Sequence, residues 1–296
     1  MAQKLEIKGK GAIVTGAGSG INLAFAKALY AAGCSVLMMD VALHPTAKDW
    51  LATLPAHAAA GQPKVHFFEA DVANWDRIEE SFDVYDREIG GVPYIVCPGA
   101  GIYEPSHNGF WSNTDTDGHY RLLDINLLSP IKFTRLAITK MLAAGRPGIV
   151  LHVSSTGAQK ASIITPLYQL AKSGISSFVR CMAELHGYSG IRVVGVAPGI
   201  VKSPLFTDHP DVLRYLDPVK DHPLEPDAVA RGMLAVATDL RYPPGTILEI
   251  ADKDDNWREV HVLNDPGPTG AASWSSHKNL ALEDVKKVID GEKGPK

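Results

Sequence analysis

A chain of 296 residues with 45% apolar side chains is long enough for one large α/β domain or two small ones, and it has ample material for a core. Its formal net charge of −4 offers no basic footprint for nucleic acid. No apolar run reaches the roughly 18 residues that span a bilayer, and Met1 to Lys10 is too polar for a signal peptide.

Cys34, Cys97 and Cys181 lie far apart in apolar or small-residue surroundings, which reads as three buried thiols of a soluble, cytoplasmic protein rather than a disulfide frame. Gly11 to Thr15 is a short apolar run that breaks into Gly16-Ala17-Gly18-Ser19-Gly20. Ile21, Leu23, Phe25, Ala26, Leu29 and Tyr30 then recur at helical spacing up to Gly33, and Ser35 to Asp40 is a second strand ending on a carboxylate. A helix is expected from Thr46 to Ala60, a third strand from Val65 to Val72, a helix from Asp76 to Ile89 and a fourth strand from Pro93 to Cys97. The polar segment Glu104 to Gly118 reads as a loop. A long helix follows from His119 to Ala144, with Pro130 inside it to bend or break it.

Gly148 to Ser155 is a buried strand ending on two serines, and the next helix opens near Tyr168. Ile191 to Ala197 is strand six, running into Pro198-Gly199. A helix from about Asp227 to Asp239 leads to a last strand, Thr246 to Ala251. Strands alternating with helices predict a Rossmann-type α/β fold, a doubly wound parallel sheet of about seven strands with helices on both faces. Residues 1–263 read as a single dinucleotide-binding and catalytic domain. Residues 264–296 read as a tail with a short amphipathic helix, Leu280 to Ile289, stopped by Gly291.

Strand, glycine turn, helix and strand form a dinucleotide-binding crossover: glycines let backbone N–H groups approach a pyrophosphate, and a helix N-terminus favours the anion. A plain strand–helix junction can also carry two glycines, so the turn counts because of where it stands. Asp40, roughly 20 residues after the turn, can accept both ribose hydroxyls of an adenosine and would repel a 2′-phosphate. The alternative is a simple helix-capping aspartate. With no Lys or Arg in the turn or just after Asp40, NAD is expected over NADP. Tyr168 and Lys172 are four residues apart and share a helical face. By chance alone such a pair arises about once in every two chains of this make-up, so its weight comes from following Ser155 and the nucleotide turn.

With these residues in view, the sequence resembles the short-chain dehydrogenase/reductase superfamily, single-domain type, over about residues 8 to 252. The motifs are Thr15-Gly16-Ala17-Gly18-Ser19-Gly20-Ile21-Asn22, Asp71-Val72, Ala100-Gly101, Asn126, Ser155, Tyr168, Lys172 and Pro198-Gly199. Within the superfamily it is most similar to fungal-type chains near the hydroxyprostaglandin-dehydrogenase-like group. The resemblance implies four catalytic residues: Asn126 holding a water, Ser155 orienting the substrate oxygen, Tyr168 as general acid/base, and Lys172 lowering the phenol's pKa and holding the nicotinamide ribose. It implies cofactor contacts from Gly16, Gly18, Ser19, Gly20, Ile21, Asp40, Asp71, Val72, Ala100, Gly101, Tyr168, Lys172, Pro198, Gly199, Val201 and Ser203. The expected reaction is hydride transfer between a secondary alcohol, or the matching ketone, and NAD. An NADPH-dependent ketoreductase and a non-catalytic NAD-sensing scaffold are the alternatives.

Three positions depart from the family pattern. Asn22 stands in place of the third glycine of the turn, Pro98-Gly99 in place of two asparagines, and Ser203 in place of a threonine. The first two threaten the packing around the nucleotide. Ile102, Tyr103, Leu205, Phe206, Leu213 and Tyr215 are expected around a small-molecule, partly apolar substrate. The helices after His119 and Tyr168 are the faces through which relatives form homodimers or homotetramers. No metal is expected: His209 and His222 read as solvated loop histidines, and Asp252, Asp254 and Asp255 as a solvated turn. No nucleic-acid or membrane partner is expected.

Overall fold

Strand β1 (Gly11–Thr15) is buried along its whole length, as is most of β2 (Ser35–Asp40). A parallel strand covered on both faces can be apolar throughout its interior, and Ala12–Val14 and Val36–Met39 are. Both belong to the computed structural model, which describes residues 3–55, 58–59, 61–104, 109–111, 118–208, 220–252, 254–261 and 278–294. The other strands are β3 (Val65–Glu69), β4 (Ile95–Cys97), β5 (Ile149–Val153), β6 (Arg192–Pro198), β7 (Ile247–Ile250) and β8 (Arg258–Glu259). They form one sheet in the order β3-β2-β1-β4-β5-β6-β7-β8. The first seven are parallel, and β8, which the sequence does not announce, pairs antiparallel with β7.

Side-chain alternation sorts the core into two layers. Ala12, Val14, Val36 and Met38 join Leu23, Phe25 and Leu29 of α1 (Gly20–Ala31) on one face. Ile13, Leu37 and Met39 meet the helices α3 (Trp75–Glu88), α5 (Ser129–Ala143) and α6 (Pro166–Cys181) on the other. Between α3 and α5 lies a single turn, α4 (Arg121–Leu123). The C-terminal helices are α7 (Leu185–Ser189), α8 (Pro204–Thr207), α9 (Pro226–Thr238) and α10 (Lys278–Glu292).

Several boundaries differ from expectation. Helix α2 is Pro45–Ala52 and stops well short of Ala60, because Pro55 disfavours helix in the residue before it. The long helix begins at Arg121 and is not uniform: Asp124–Leu128 is a π-turn, and Ser129–Ala143 restarts with Pro130 in its first turn. The wide turn absorbs the proline, which needs no N–H donor there. Helix α10 runs through Gly291 instead of stopping at it, held by Arg135 Nη1 donating to Glu292 Oε2 at 2.9 Å and by Gly294 N–H donating to Leu142 O at 3.1 Å. The expected boundary at residue 264 lies outside the described residues. Cys34 and Cys97 are buried, but Cys181, at the end of α6, is exposed. Among the described residues no helix is long and apolar enough to cross a membrane, and no cluster of ligating side chains could hold a metal.

One buried group makes stability depend on pH. His152 of β5 is fully enclosed, edge-on to Phe178 with ring centroids 5.7 Å apart. Thr134 Oγ1 donates to Pro130 O at 2.8 Å, so it can only accept from His152 Nε2, 3.0 Å away; Nδ1 is left without a partner. Burial, then the charge of Lys172, pushes the imidazole from 6.5 down to about 3. The folded protein therefore refuses a proton that the unfolded chain binds, and stability falls as pH drops from 6.5 to about 3. The slope is at most about 1.4 kcal/mol per pH unit. Urea unfolding across that window should show a shallower acid limb for His152→Gln than for the wild type; equal limbs would clear His152 as the cause.

Candidate functional site

Parallel strands present their carboxyl ends on one edge, and a crevice opens where the strand order reverses, here between β1 and β4. A cavity of about 690 Å³ occupies that place. Its walls include Gly16, Ser19, Gly20, Ile21, Asp40, Asp71, Val72, Ala100, Gly101, Ser155, Tyr168, Lys172, Pro198, Gly199, Val201 and Ser203. Gly18 and Asn126, the remaining two of the expected set, stand behind the wall and act on it through their neighbours.

At one end the turn is drawn tight. Gly18 N–H donates to Asp40 Oδ2 at 2.8 Å, and Val41 N–H donates to Oδ1 at 2.7 Å. A Cβ on Gly18 would lie 2.0 Å from Ala42 O, so no other residue fits. Burial raises the Asp40 carboxyl above its ordinary value despite backbone donors from Gly18, Val41 and Ala42. Ser19, extended at φ −159°, precedes α1 and makes no side-chain capping bond. The first N–H groups of a helix lack intrahelical partners, and here they belong to residues on the cavity wall. Asp71 accepts from Ala73 N–H at 2.9 Å and from Arg121 Nη2 at 2.6 Å. Backbone donors at a helix start, a glycine cradle and a carboxylate one strand away fit a dinucleotide's pyrophosphate and adenosine ribose.

The two departures that threatened this end turn out to be one exchange. Asn22 is buried and its Nδ2 donates to Gly99 O at 2.8 Å. A Cβ on Gly99 would lie 2.4 Å from Asn22 Oδ1, so the side chain of Asn22 occupies the space that a residue at 99 would need. The amide of Asn22 thus ties the nucleotide turn to the loop after β4, where the family pattern carries amides of its own. Asn22 Oδ1 has no hydrogen-bond partner and belongs to a residue of the cavity wall.

At the other end β5 delivers Ser154 and Ser155 side by side, with opposite fates. Ser154 Oγ donates to Lys172 O at 2.9 Å and lies 2.7 Å from Ser176 Oγ, a structural role away from the chemistry. Ser155 caps the 3-10 turn Thr156–Gln159, accepting from Gly157 N–H at 3.0 Å, and its hydroxyl is close enough to the Tyr168 phenol to favour the ionised form. Lys172 is 5% exposed; its Nζ donates to Val153 O at 2.9 Å and sits 5.6 Å from the Tyr168 ring centre. Asn126, in the π-turn, clasps Ile102 both ways: Nδ2 donates to Ile102 O at 2.8 Å and Oδ1 accepts from Ile102 N–H at 2.9 Å. Asn126 Oδ1 and Lys172 Nζ flank Gly101, 3.3 and 3.6 Å from where its Cβ would be.

In the protein alone, burial outweighs charge at the phenol. Burial pushes Tyr168 up to about 12, against the Ser155 hydrogen bond that lowers it, and burial brings Lys172 down to about 8. Loss of water outweighs the nearby ammonium, whose hydrogen bond goes to a carbonyl instead. Around these groups Ile102, Tyr103, Leu205 and Phe206 line the cavity, while Leu213 and Tyr215 fall outside the described residues. Sequence reading missed Glu104, Arg121, Ile164, Thr165 and Gln169. Of these, Arg121, Ile164, Thr165 and Gln169 line the cavity, and Glu104 reaches the backbone of Tyr168. None belongs to a motif; only Gln169, next to Tyr168, stood where a search could begin.

The family model for short chain dehydrogenases matches residues 10–212. The chain belongs to the short-chain dehydrogenase family. Family membership makes this protein an oxidoreductase built for a nicotinamide cofactor. It is 28% identical over 254 residues to the 15-hydroxyprostaglandin dehydrogenase [NAD(+)] of Bos taurus, covering 79% of this chain and 88% of the relative. It is 30% identical over 244 residues to the cis-4-hydroxycyclohexanecarboxylate dehydrogenase of Sinomonas cyclohexanicum, covering 81% and 94%. In fold it is similar to a short-chain type dehydrogenase/reductase from Mycobacterium marinum, with TM-score 0.68 and 21% identity over 85% of this chain and 97% of the other.

A double-mutant cycle tests the exchange in this dehydrogenase. Asn22→Gly should leave a void and Gly99→Asn a clash, so each alone lowers stability, whereas Asn22→Gly/Gly99→Asn recovers most of the loss. A coupling energy on the order of 1–2 kcal/mol in denaturant unfolding is expected; additive losses would show that the two positions do not compensate.

Proposed function

We propose that this dehydrogenase transfers a hydride between a secondary alcohol, or the matching ketone, and NAD. The observation that carries the reading is the convergence of Ser155, Tyr168 and Lys172 on one cavity whose far end holds Asp40 and the glycine turn. The nicotinamide cofactor supplies the hydride acceptor or donor. Ser155 Oγ holds the substrate oxygen, with Gly157 N–H fixing that hydroxyl from behind. In oxidation the Tyr168 phenolate takes the proton from the alcohol oxygen as the C–H electron pair leaves; in reduction the neutral phenol returns it. Lys172 stabilises the phenolate form by its charge. Asn126 braces the Gly101–Ile102 backbone beside the lysine, whose own bond goes to Val153 O. Tyr103, Ile164, Leu205 and Phe206 favour a partly apolar substrate.

Preference for NAD rests on Asp40, whose charge opposes a 2′-phosphate. Support also comes from the NAD(+) in the name of the prostaglandin relative. NADP should bind at least about tenfold more weakly than NAD, a difference of about 1.4 kcal/mol or more. Asp40→Ser should narrow the gap; equal affinities in the wild-type protein, measured by calorimetry, would overturn the assignment.

Tyr168→Phe should abolish turnover of secondary alcohols while leaving NAD affinity nearly unchanged, and retained turnover would remove the tyrosine from its role. The base is the phenolate and burial holds the phenol near 12, so raising the pH raises the competent fraction. Alcohol oxidation should accelerate across about pH 7 to 10. In Lys172→Met activity should fall most below about pH 8, where the wild-type lysine still carries its charge.

A further inference from the structure

Helix α6 carries both Tyr168 and Lys172, yet it does not cap itself. Its N-cap, Thr165, makes no side-chain capping bond to the helix backbone, and Pro166, the first helical residue, has no N–H. The first intrahelical bond begins at Gln169 N–H, which donates to Thr165 O at 3.0 Å. The acceptor for Tyr168 N–H comes instead from 64 residues upstream: Glu104 Oε2, at 2.8 Å. Its other oxygen accepts Phe110 N–H at 3.1 Å, so one carboxylate binds two separate segments. Glu104 is only 1% exposed and does not line the cavity.

Two further links join the same two stretches. The Tyr103 ring packs edge-on against Tyr168 with centroids 4.9 Å apart. Trp111 Nε1 donates to Ile163 O at 2.7 Å. The carboxylate also sits where a helix N-terminus favours negative charge.

We propose that Glu104 is a positioning residue for Tyr168: its buried carboxylate supplies the capping acceptor at the start of α6 and ties the tyrosine's backbone to that of Phe110 and, through the chain, to Tyr103 on the cavity wall. The inference rests on the proposed acid/base role of Tyr168. Glu104 touches no reacting atom. Its effect is on where the phenol stands relative to Ser155 and the substrate oxygen, and misplacement on the scale of 1 Å costs on the order of a hundredfold in rate.

The experiment compares Glu104→Ala, Glu104→Gln and Tyr168→Phe in the full chain, measuring kcat and KM on a secondary alcohol found by screening, NAD affinity by calorimetry, and Tm. Glu104→Ala should lose about ten- to hundredfold in kcat with NAD affinity unchanged, and Glu104→Gln, which keeps one oxygen acceptor, should recover most of that loss. If Glu104→Ala does not fold, Glu104→Asp, whose shorter side chain withdraws the acceptor, carries the same comparison. A wild-type kcat in a folded variant, even with lowered Tm, overturns the inference and leaves Glu104 a structural cap. That outcome is separable from failure of the functional reading, which would appear as retained turnover in Tyr168→Phe.

Discussion

Covering both faces of a parallel sheet with helices leaves its strands no solvent-facing side, and polar side chains are then tolerated chiefly at strand ends. β1 and β2 obey this closely, and their carboxyl ends hand the chain to Thr15-Gly16 and to Asp40. β5 does the same with Ser154 and Ser155. Crossovers that always return on the same hand bring those ends to one edge, so residues from distant parts of the chain share a single crevice. His152 is the exception inside β5. It is accepted because Thr134 satisfies one ring nitrogen and because the ring stays neutral.

Much of this was readable in advance, for a physical reason. A strand that ends on glycine or a carboxylate, and a helix with one apolar face, both write local patterns, and the site lies at the ends of such elements. Asp40, Ser155, Tyr168 and Lys172 all stand at positions the alternation of strand and helix picks out. What could not be read depends on contacts between segments. Glu104 meets Tyr168, and Arg121 meets Asp71, only through the fold. The overestimated helix after His44 and the unforeseen continuation through Gly291 are the same lesson in opposite directions. Pro55 outweighs a run of good helix formers, and docking on α5 outweighs a glycine.

The active end also shows why proximity of charge is a poor guide to pKa. Lys172 lies within reach of the Tyr168 ring, yet each group is driven toward its neutral form by the same loss of water. The lysine's proton is directed at Val153 O, a bond that places the ammonium without neutralising it. Organisation of the site thus comes before its electrostatic tuning: Ser155, Asn126 and the lysine are each anchored to backbone.

The Asn22–Gly99 pair has a consequence for how this arrangement could arise. At positions 22 and 99 alone, trading a glycine and an asparagine for Asn22 and Gly99 takes two substitutions, and a stepwise route passes through a chain with both amides or with neither. Both together would force atoms into space already filled, since even a Cβ at 99 meets Asn22 Oδ1 at 2.4 Å. Neither together only opens a gap and drops one hydrogen bond, a loss that a large core can absorb. The passable path runs through the emptier state, and a turn without its amide is the intermediate that descent would have had to tolerate.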